Sequence, residues 1–173
     1  MTEHQSEGPF QAVPLLDVLI RHHVRFVVIG GFAAQLIGSP LVTFDLDVCY
    51  ARDRENLDAM ALALRELRAT LRGAPADLPF RLDSKTLANG DSFTFDTRLG
   101  SFDILGTPTG TAGFDELNAA ADWVEIGAAR VRVASIDDLI RMKRAAGRVK
   151  DRVHLEDLGA LRDQLDRIDR AKP

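Results

Sequence analysis

Two aspartates, Asp45 and Asp47, stand two positions apart in an otherwise apolar stretch, residues 42–50. Apolar residues hold the even positions, so the pattern predicts a β-strand with both carboxylates on one face, about 6.5–7 Å apart. Like charges this close repel each other unless a cation lies between them. A divalent ion such as Mg²⁺ prefers one or two carboxylates together with phosphate oxygens and water. The pair therefore favours a metal–phosphate site, although alternating acids also occur on strands that face solvent.

A third carboxylate, Asp103, lies between Phe102 and Ile104 in the returning arm of a predicted β-hairpin, residues 93–105. A bare charge is costly to bury among apolar residues. If this arm lies beside strand 42–50, three carboxylates converge and can hold two ions about 3.5–4 Å apart. The alternative is an edge-strand aspartate that faces water. Asp96, on the preceding arm, is expected to be exposed.

Two glycines, Gly30 and Gly31, separate a predicted buried strand, residues 26–29, from a short helix, residues 32–37. Glycines let backbone N–H groups approach an anion without interference from Cβ. The helix N-terminus beyond them favours phosphate. The same pattern is also typical of an ordinary turn between a strand and a helix.

The elements that must position these residues follow from hydrophobic periodicity and turn residues. Helices are predicted at residues 15–22, 32–37, 52–71, 114–121, 135–146 and 151–168, and strands at 26–29, 42–50, 93–99, 101–105, 124–126 and 129–133. This order predicts an α+β fold, a mixed sheet flanked by helices with further helices at the C-terminus. We expect a flexible tail at residues 1–11 and a single domain at residues 12–173.

The composition excludes several classes of protein. The 173-residue chain carries 22 Lys and Arg against 26 Asp and Glu, a net charge of −4, so it is not a generally basic nucleic-acid coat. Residues 141–152 hold six basic side chains and one acid, Asp151, typical of a solvated helix face or of a polyanion site. The single cysteine, Cys49, favours a cytoplasmic location. No apolar run approaches the roughly 20 residues that span a bilayer, so no membrane partner is expected.

The order of these features resembles the nucleotidyltransferase superfamily, whose fold is that of the DNA polymerase β palm. The features are a Gly-Gly pair, eleven further residues, a Thr-x-Asp-x-Asp motif that begins at Thr43, and a later aspartate flanked by apolar residues. Stretches 30–40, 93–106 and 135–151 resemble small bacterial AbiEii/AbiGii-type nucleotidyltransferases, the toxins of toxin–antitoxin pairs. The resemblance covers roughly residues 15–165.

This resemblance assigns roles to eight residues. It implies that three carboxylates are catalytic and bind two Mg²⁺ ions, or Mn²⁺, with the third acting on the acceptor hydroxyl: Asp45, Asp47 and Asp103. It implies five nucleotide-binding residues: Gly30, Gly31, Thr43, Lys143 and Asp151.

The expected activity is Mg²⁺-dependent transfer of a nucleoside monophosphate from an NTP to an acceptor hydroxyl. The resemblance suggests RNA, particularly a tRNA end, as acceptor and a cognate antitoxin as partner. A small molecule or a protein hydroxyl is an alternative acceptor. Relatives often have an arginine where this chain has Leu41. Its absence removes a phosphate contact and favours a second alternative, a non-catalytic nucleotide- or partner-binding module.

Overall fold

The computed structural model describes residues 9–75, 78–149 and 151–172. Its helices are α1 Ala12–Arg21, α2 Gly30–Leu36, α3 Arg54–Glu66, α4 Ser84–Asn89, α5 Phe114–Ala120, α6 Ile136–Ala146 and α7 Asp151–Ala171. Its strands are β1 Phe26–Ile29, β2 Asp45–Tyr50, β3 Thr70–Leu71, β4 Ser92–Thr97, β5 Gly100–Leu105, β6 Asp122–Ile126 and β7 Ala129–Val133.

The described strands form one mixed sheet in the order β3-β4-β5-β2-β1-β7-β6. The β2 strand pairs antiparallel with β1 and parallel with β5. Two antiparallel hairpins, β4–β5 and β6–β7, extend the sheet on either side. The α+β fold with a mixed sheet is therefore confirmed, and the returning arm of the first hairpin does lie beside the strand that carries the paired aspartates.

Alternation along β2 and β5 separates an apolar face from a polar one. Leu46 and Val48 of β2, with Phe102 and Ile104 of β5, are fully buried in the hydrophobic core. Burying each such side chain contributes about 1.5–3 kcal/mol. The residues between them point to the opposite face and are only half-buried. The core face thus fixes which side chains the polar face presents.

The β2 strand is shorter than the sequence predicts. It begins at Asp45, and Val42 and Phe44, which the alternation assigned to the core face, are 70% and 76% exposed. The reason is that no strand among the described residues pairs with the chain before Asp45. The pairing with β5 begins at Asp45 opposite Ser101, and the described pairing with β1 does not extend past Asp47 opposite Ile29.

The predicted helix 52–71 also ends early, at Glu66. Arg68 has a positive φ of 53°, and the Ala69 N–H donates to the Leu64 carbonyl, which closes the helix in a left-handed turn. The chain then forms β3, which the sequence did not predict because two residues are too short to show a period. Helix α4 was missed because its six residues make fewer than two helical turns.

The predicted start and end of α6 are confirmed. The Ser135 hydroxyl caps the helix by accepting a hydrogen bond from the Asp138 N–H, and Gly147 ends it in the left-handed conformation with φ 63°. Asp151 then begins α7, which runs three residues beyond the predicted end at residue 168.

The N-terminal segment is described from residue 9. Phe10 packs edge-on against Phe32, with ring centroids 5.9 Å apart, and the Gln11 N–H donates to the Leu99 carbonyl. These two residues, predicted to be part of the tail, therefore contact the folded chain, whereas residues 1–8 lie outside the described residues. The division into a tail and one domain stays a prediction. Among the described residues, no helix has both the length and the apolar character that crossing a membrane requires.

Candidate active site

A cleft of about 500 Å³ opens on the polar face of β2 and β5. Helices α6 and α7 form its other wall. The cleft is lined by all eight residues that the sequence singled out: Gly30, Gly31, Thr43, Asp45, Asp47, Asp103, Lys143 and Asp151. The structure thus brings together residues that are up to 121 positions apart in the chain, from Gly30 to Asp151.

Three carboxylates meet at the base of this cleft. Asp45 and Asp47 are neighbours on one face of β2, and Asp103 lies directly opposite Asp47 in the parallel register of β5. Oxygen atoms of the three side chains all lie within 4.8 Å of one another. The convergence follows from the register, because parallel strands place residues of one level on the same face.

The charges of these carboxylates are poorly compensated. Burial, together with the Asp45 and Asp103 carboxylates, raises the pKa of Asp47 to about 7. Burial also raises the pKa of Asp103, which Arg72 offsets only in part. A cluster of hard oxygen donors with excess negative charge suits a divalent cation such as Mg²⁺ or Mn²⁺. On this charge balance and donor chemistry, the residues present fit the metal site that the sequence predicts.

The two glycines leave space for the residues of the site. Gly30 has a φ of +69°, and a Cβ built on it would lie 2.1 Å from Asp47 Oδ2. A Cβ on Gly31 would lie 3.0 Å from Thr43 Oγ1. The Thr43 hydroxyl in turn donates a hydrogen bond to Asp45 Oδ1. The glycines begin α2 instead of preceding it as a separate turn, and they let its first turn approach the carboxylates closely.

The opposite wall carries a buried acid with two cations. Asp151 is 2% exposed; its Oδ1 lies 3.4 Å from Lys143 Nζ, and its Oδ2 lies 3.1 Å from Arg148 Nε. Burial alone would raise the pKa of Asp151, but the hydrogen bond from Arg148 and the charge of Lys143 lower it below its ordinary value. Asp151 therefore ties the end of α6 to the start of α7 and holds both cations beside the cleft.

Arg72 is a charged residue of the cleft that the sequence pattern did not single out. Its Nη2 donates to Asp103 Oδ1 at 2.9 Å and its Nε to Asp96 Oδ1 at 3.1 Å. The expectation that Asp96 is exposed is wrong, because the pairing with Arg72 leaves its side chain 19% exposed. The sequence held no signal for this contact, since Arg72 follows the unpredicted β3 strand.

The basic run 141–152 does not form one continuous positive surface. Arg141 is paired with Glu116 and Asp138 on the other side of α6 from Lys143. Lys143 and Arg148 are paired with the buried acid in the cleft wall. Arg144 and Arg152 are exposed, and Lys150 lies outside the described residues. Arg144 and Arg152 therefore fit the solvated-face alternative, and the polyanion-site alternative stays a prediction.

The solved structures that are similar to this chain include the following two. One is the lincosamide antibiotic adenylyltransferase LnuA in a lincomycin-bound crystal structure, which is 11% identical with a TM-score of 0.59 over 89% of this chain and 99% of that chain. The other, from Thermotoga maritima, is described as a nucleotidyltransferase; it is 17% identical with a TM-score of 0.54 over 90% and 91%. No protein-family model matches the sequence, and the comparison with curated proteins finds no relative. The chain therefore shares the fold of these two structures, as the resemblance to nucleotidyltransferases implied.

Proposed function

We propose that the protein is a nucleotidyltransferase that moves a nucleoside monophosphate from an NTP to an acceptor hydroxyl. The observation that carries the proposal is the group of three carboxylates within 4.8 Å of one another at the base of a large cleft. The fold shared with LnuA and the Thermotoga protein supports it.

The cleft contains acidic, basic and backbone groups that suit a metal-bound triphosphate. Asp45, Asp47 and Asp103 would hold two Mg²⁺ ions, for which Mn²⁺ could substitute; when bound, the ions would neutralise phosphate charge and polarise the reacting phosphorus. The first turn of α2, with its two glycines, lies against these carboxylates and lines the cleft in which phosphate oxygens would bind. Lys143 faces the same cleft and supplies positive charge from the opposite wall.

In the proposed reaction, the acceptor oxygen forms a bond to the α-phosphorus of the NTP. The bond between that phosphorus and the oxygen that bridges to the β-phosphate breaks, and pyrophosphate leaves with the bonding electrons. The proton of the acceptor hydroxyl passes to the Asp103 carboxylate, which lies beside the other two carboxylates at the base of the cleft. Phosphoryl transfer mainly requires positioning and charge stabilisation, which this arrangement of side chains supplies.

An RNA acceptor, particularly a tRNA end, is our first candidate. It rests on the AbiEii-type resemblance, which also suggests a toxin function, a cognate antitoxin partner and a cytoplasmic location. Arg144, Arg148 and Arg152 are exposed and lie on or beside the helices that form one wall of the cleft. Contacts between such side chains and RNA phosphates would make binding fall steeply between 50 and 200 mM salt.

A small-molecule hydroxyl is the second candidate. LnuA, whose chain is covered almost completely by this one, is an adenylyltransferase of lincosamide antibiotics and was crystallised with lincomycin. A small acceptor, or a hydroxyl of a protein, would give activity that changes little over the same range of salt.

A non-catalytic module that binds nucleotides or a partner is the third candidate. It rests on Leu41, which stands where relatives often have an arginine and does not line the cleft. Such a module would bind NTP in a calorimeter but would release no pyrophosphate with any acceptor.

The proposal is tested by incubating the protein with each labelled NTP, Mg²⁺ and either total tRNA or a panel of hydroxyl-bearing small molecules. Label transfer and pyrophosphate release are measured for the wild type and for Asp45→Ala. Asp58→Ala, which removes an exposed carboxylate on α3, is the matched control. We expect transfer by the wild type and the control and not by Asp45→Ala. Equal transfer by all three proteins would remove the catalytic proposal.

A further inference from the structure

Arg72 occupies a fixed place at the same level of the sheet as the carboxylates. It directly follows β3, and its backbone N–H donates to the Thr94 carbonyl at 2.9 Å. Thr94 lies opposite Asp103 on β5, and Asp103 lies opposite Asp47 on β2. Strands are about 4.8 Å apart, so two strand spacings separate the Arg72 backbone from Asp103. An extended arginine side chain can reach across this distance, but few of its conformations do so.

The guanidinium of Arg72 is held at several points. Its Nη2 donates to Asp103 Oδ1 at 2.9 Å and to the Phe95 carbonyl at 2.8 Å, and its Nε donates to Asp96 Oδ1 at 3.1 Å. A planar guanidinium with donors in a rigid fork cannot turn about one of these contacts without losing the others. Arg72 therefore fixes the direction of the Asp103 carboxylate through one oxygen, and the second oxygen is left to other partners.

Asp96 balances the charge of Arg72. Both Asp96 and Asp103 are 19% exposed at the side chain, and Arg72 is 34% exposed, so these charges are only partly screened by water. One arginine shared between two aspartates leaves a net negative charge. Arg72 can thus orient Asp103 without cancelling the negative charge that attracts a cation, because the negative charge of Asp96 offsets part of the positive charge of Arg72.

We propose that Arg72 is a positioning residue of the reaction, which fixes Asp103 for cation binding and for accepting the acceptor proton, and that Asp96 fixes Arg72. The inference rests on the proposed function. Groups that orient metal ligands from the second layer typically change metal affinity or activity by about 10–100-fold when they are removed. This assigns a role to an arginine and an aspartate that neither the sequence pattern nor the fold similarity singles out.

The test uses Arg72→Ala, Arg72→Lys and Asp96→Asn, with Asp58→Ala as the control and Asp103→Ala as the reference for a lost ligand. Binding of Mn²⁺ alone is measured from the electron paramagnetic resonance signal of free Mn²⁺, and kcat and KM are measured with NTP and acceptor. We expect Arg72→Ala to raise the Kd for Mn²⁺ and to lower kcat, each by about 10-fold or more, with little change in KM for NTP. Asp96→Asn should give a smaller change in the same direction.

Two further readouts separate positioning from a purely structural role. Arg72→Lys should fail to restore Mn²⁺ affinity, because an ammonium lacks the fork that spans Asp96 and Asp103. Added guanidinium chloride at low millimolar concentration should partly restore Mn²⁺ affinity in Arg72→Ala but not in Asp103→Ala. Circular dichroism identifies any variant that does not fold. If Arg72→Ala does not fold, Arg72→Lys and Asp96→Asn test the inference, which predicts that both bind Mn²⁺ more weakly than the wild type.

Wild-type Mn²⁺ affinity and kcat in the folded Arg72 variants would overturn the inference, as would a change confined to KM, which would make Arg72 a substrate contact. The proposed function would survive either result, provided that Asp103→Ala binds Mn²⁺ weakly. Unchanged Mn²⁺ binding in Asp103→Ala would instead remove the proposed function, and the inference with it.

Discussion

Two aspartates on opposite walls of the cleft, Asp47 and Asp151, have pKa values that are shifted in opposite directions. Asp47 shares its surroundings with two further carboxylates, and burial and these neighbours raise its pKa to about 7. Asp151 is more completely shielded from solvent, at 2% side-chain exposure, yet its pKa is lowered because Arg148 and Lys143 outweigh the effect of burial. Burial is the largest cause of the raised pKa at Asp47, where the neighbouring carboxylates add to it, whereas at Asp151 the two cations reverse the effect of burial.

The two walls differ in whether their carboxylates have cations enough within the protein. Asp151 has its cations within the protein, so it serves as an anchor for Lys143 and Arg148 and needs no external ion. Among the described residues, Lys143 and Arg72 are the cations that act on Asp47, and each is also paired with another carboxylate, Asp151 or Asp96. The carboxylates of the β2–β5 wall therefore keep excess negative charge, which a cation from solution would neutralise. We therefore infer that metal binds at the β2–β5 wall and that the α6–α7 wall contributes positive charge toward the phosphates.

The largest expected effect is on activity. Asp45→Ala should lower the rate of monophosphate transfer by about 10²–10³-fold or more, as expected for the loss of a preorganised electrostatic group. Asp151→Asn should cost much less, because Lys143 and Arg148 remain near the cleft although they are less well held. Pyrophosphate release under identical conditions measures both. Losses of equal size would mean that the two walls do not differ in role.

The next effect is on stability without metal, where the two walls should respond with opposite signs. At pH 8 in EDTA, Asp47→Asn should raise the free energy of unfolding by about 1–4 kcal/mol, since it removes an ionised carboxylate that folding disfavours. Asp151→Asn should lower it by about 1–3 kcal/mol, because two cations lose a charged partner. Urea denaturation of each variant measures the difference.

The gain in free energy of unfolding that we expect for Asp47→Asn should also depend on pH. A pKa raised from 3.8 to about 7 means that the wild type bears the full penalty above pH 7 and loses it as the pH falls toward 4. The advantage of the variant should shrink over that range. If the difference in free energy of unfolding between Asp47→Asn and the wild type stays constant from pH 8 to pH 5, the raised pKa of Asp47 is contradicted.

A somewhat smaller effect is stabilisation by metal. At a Mn²⁺ concentration 100 times its Kd, the wild type should gain about 2.7 kcal/mol, which corresponds to a rise in Tm of about 5–11 °C for a chain of this size. Asp47→Asn should lose most of this rise, and Asp151→Asn should keep it. Thermal denaturation with and without Mn²⁺ distinguishes the two variants. A rise in Tm that is retained in Asp47→Asn and lost in Asp151→Asn would place the metal at the α6–α7 wall instead of the β2–β5 wall.

The smallest effect is expected at a partly exposed acid that does not line the cleft, Glu66. Glu66 accepts hydrogen bonds from Arg21 and His22, which lower its pKa from 4.5 to about 2. Its contribution to stability should be present above about pH 4.5 and be lost as the pH falls toward 2. Glu66→Gln should therefore differ slightly from the wild type at pH 7 and become equal to it near pH 2. Solvent screens such pairs, so a change as large as that of Asp151→Asn would contradict this account.

The sequence predicted those parts of the fold and site that depend on short-range patterns. Alternation placed Asp45 and Asp47 on one face of β2, and the apolar neighbours of Asp103 placed it on β5. The hairpin turn at Gly100 and the cap at Ser135 are local signals that the structure contains. Each of these follows from the period of a strand or from the end of a helix.

The remaining features depend on how distant segments pair, which no local pattern contains. Arg72 reaches the site only because β3 pairs with the edge of β4. The clash that makes glycine necessary at position 30 arises from the pairing of β1 with β2. Phe44 continues the alternation of β2 but is exposed, because neither neighbouring strand extends far enough to cover it.

The central claim is that Asp45, Asp47 and Asp103 form a cation site that presents a nucleoside triphosphate to an acceptor. The most direct measurement is anomalous X-ray scattering from crystals of the wild-type protein grown with Mn²⁺ and a non-hydrolysable NTP analogue. We predict anomalous density among these three carboxylates, with the triphosphate between the start of α2 and Lys143. Ordered analogue elsewhere on the protein, or bound in the cleft with no Mn²⁺ at the carboxylates, would contradict it.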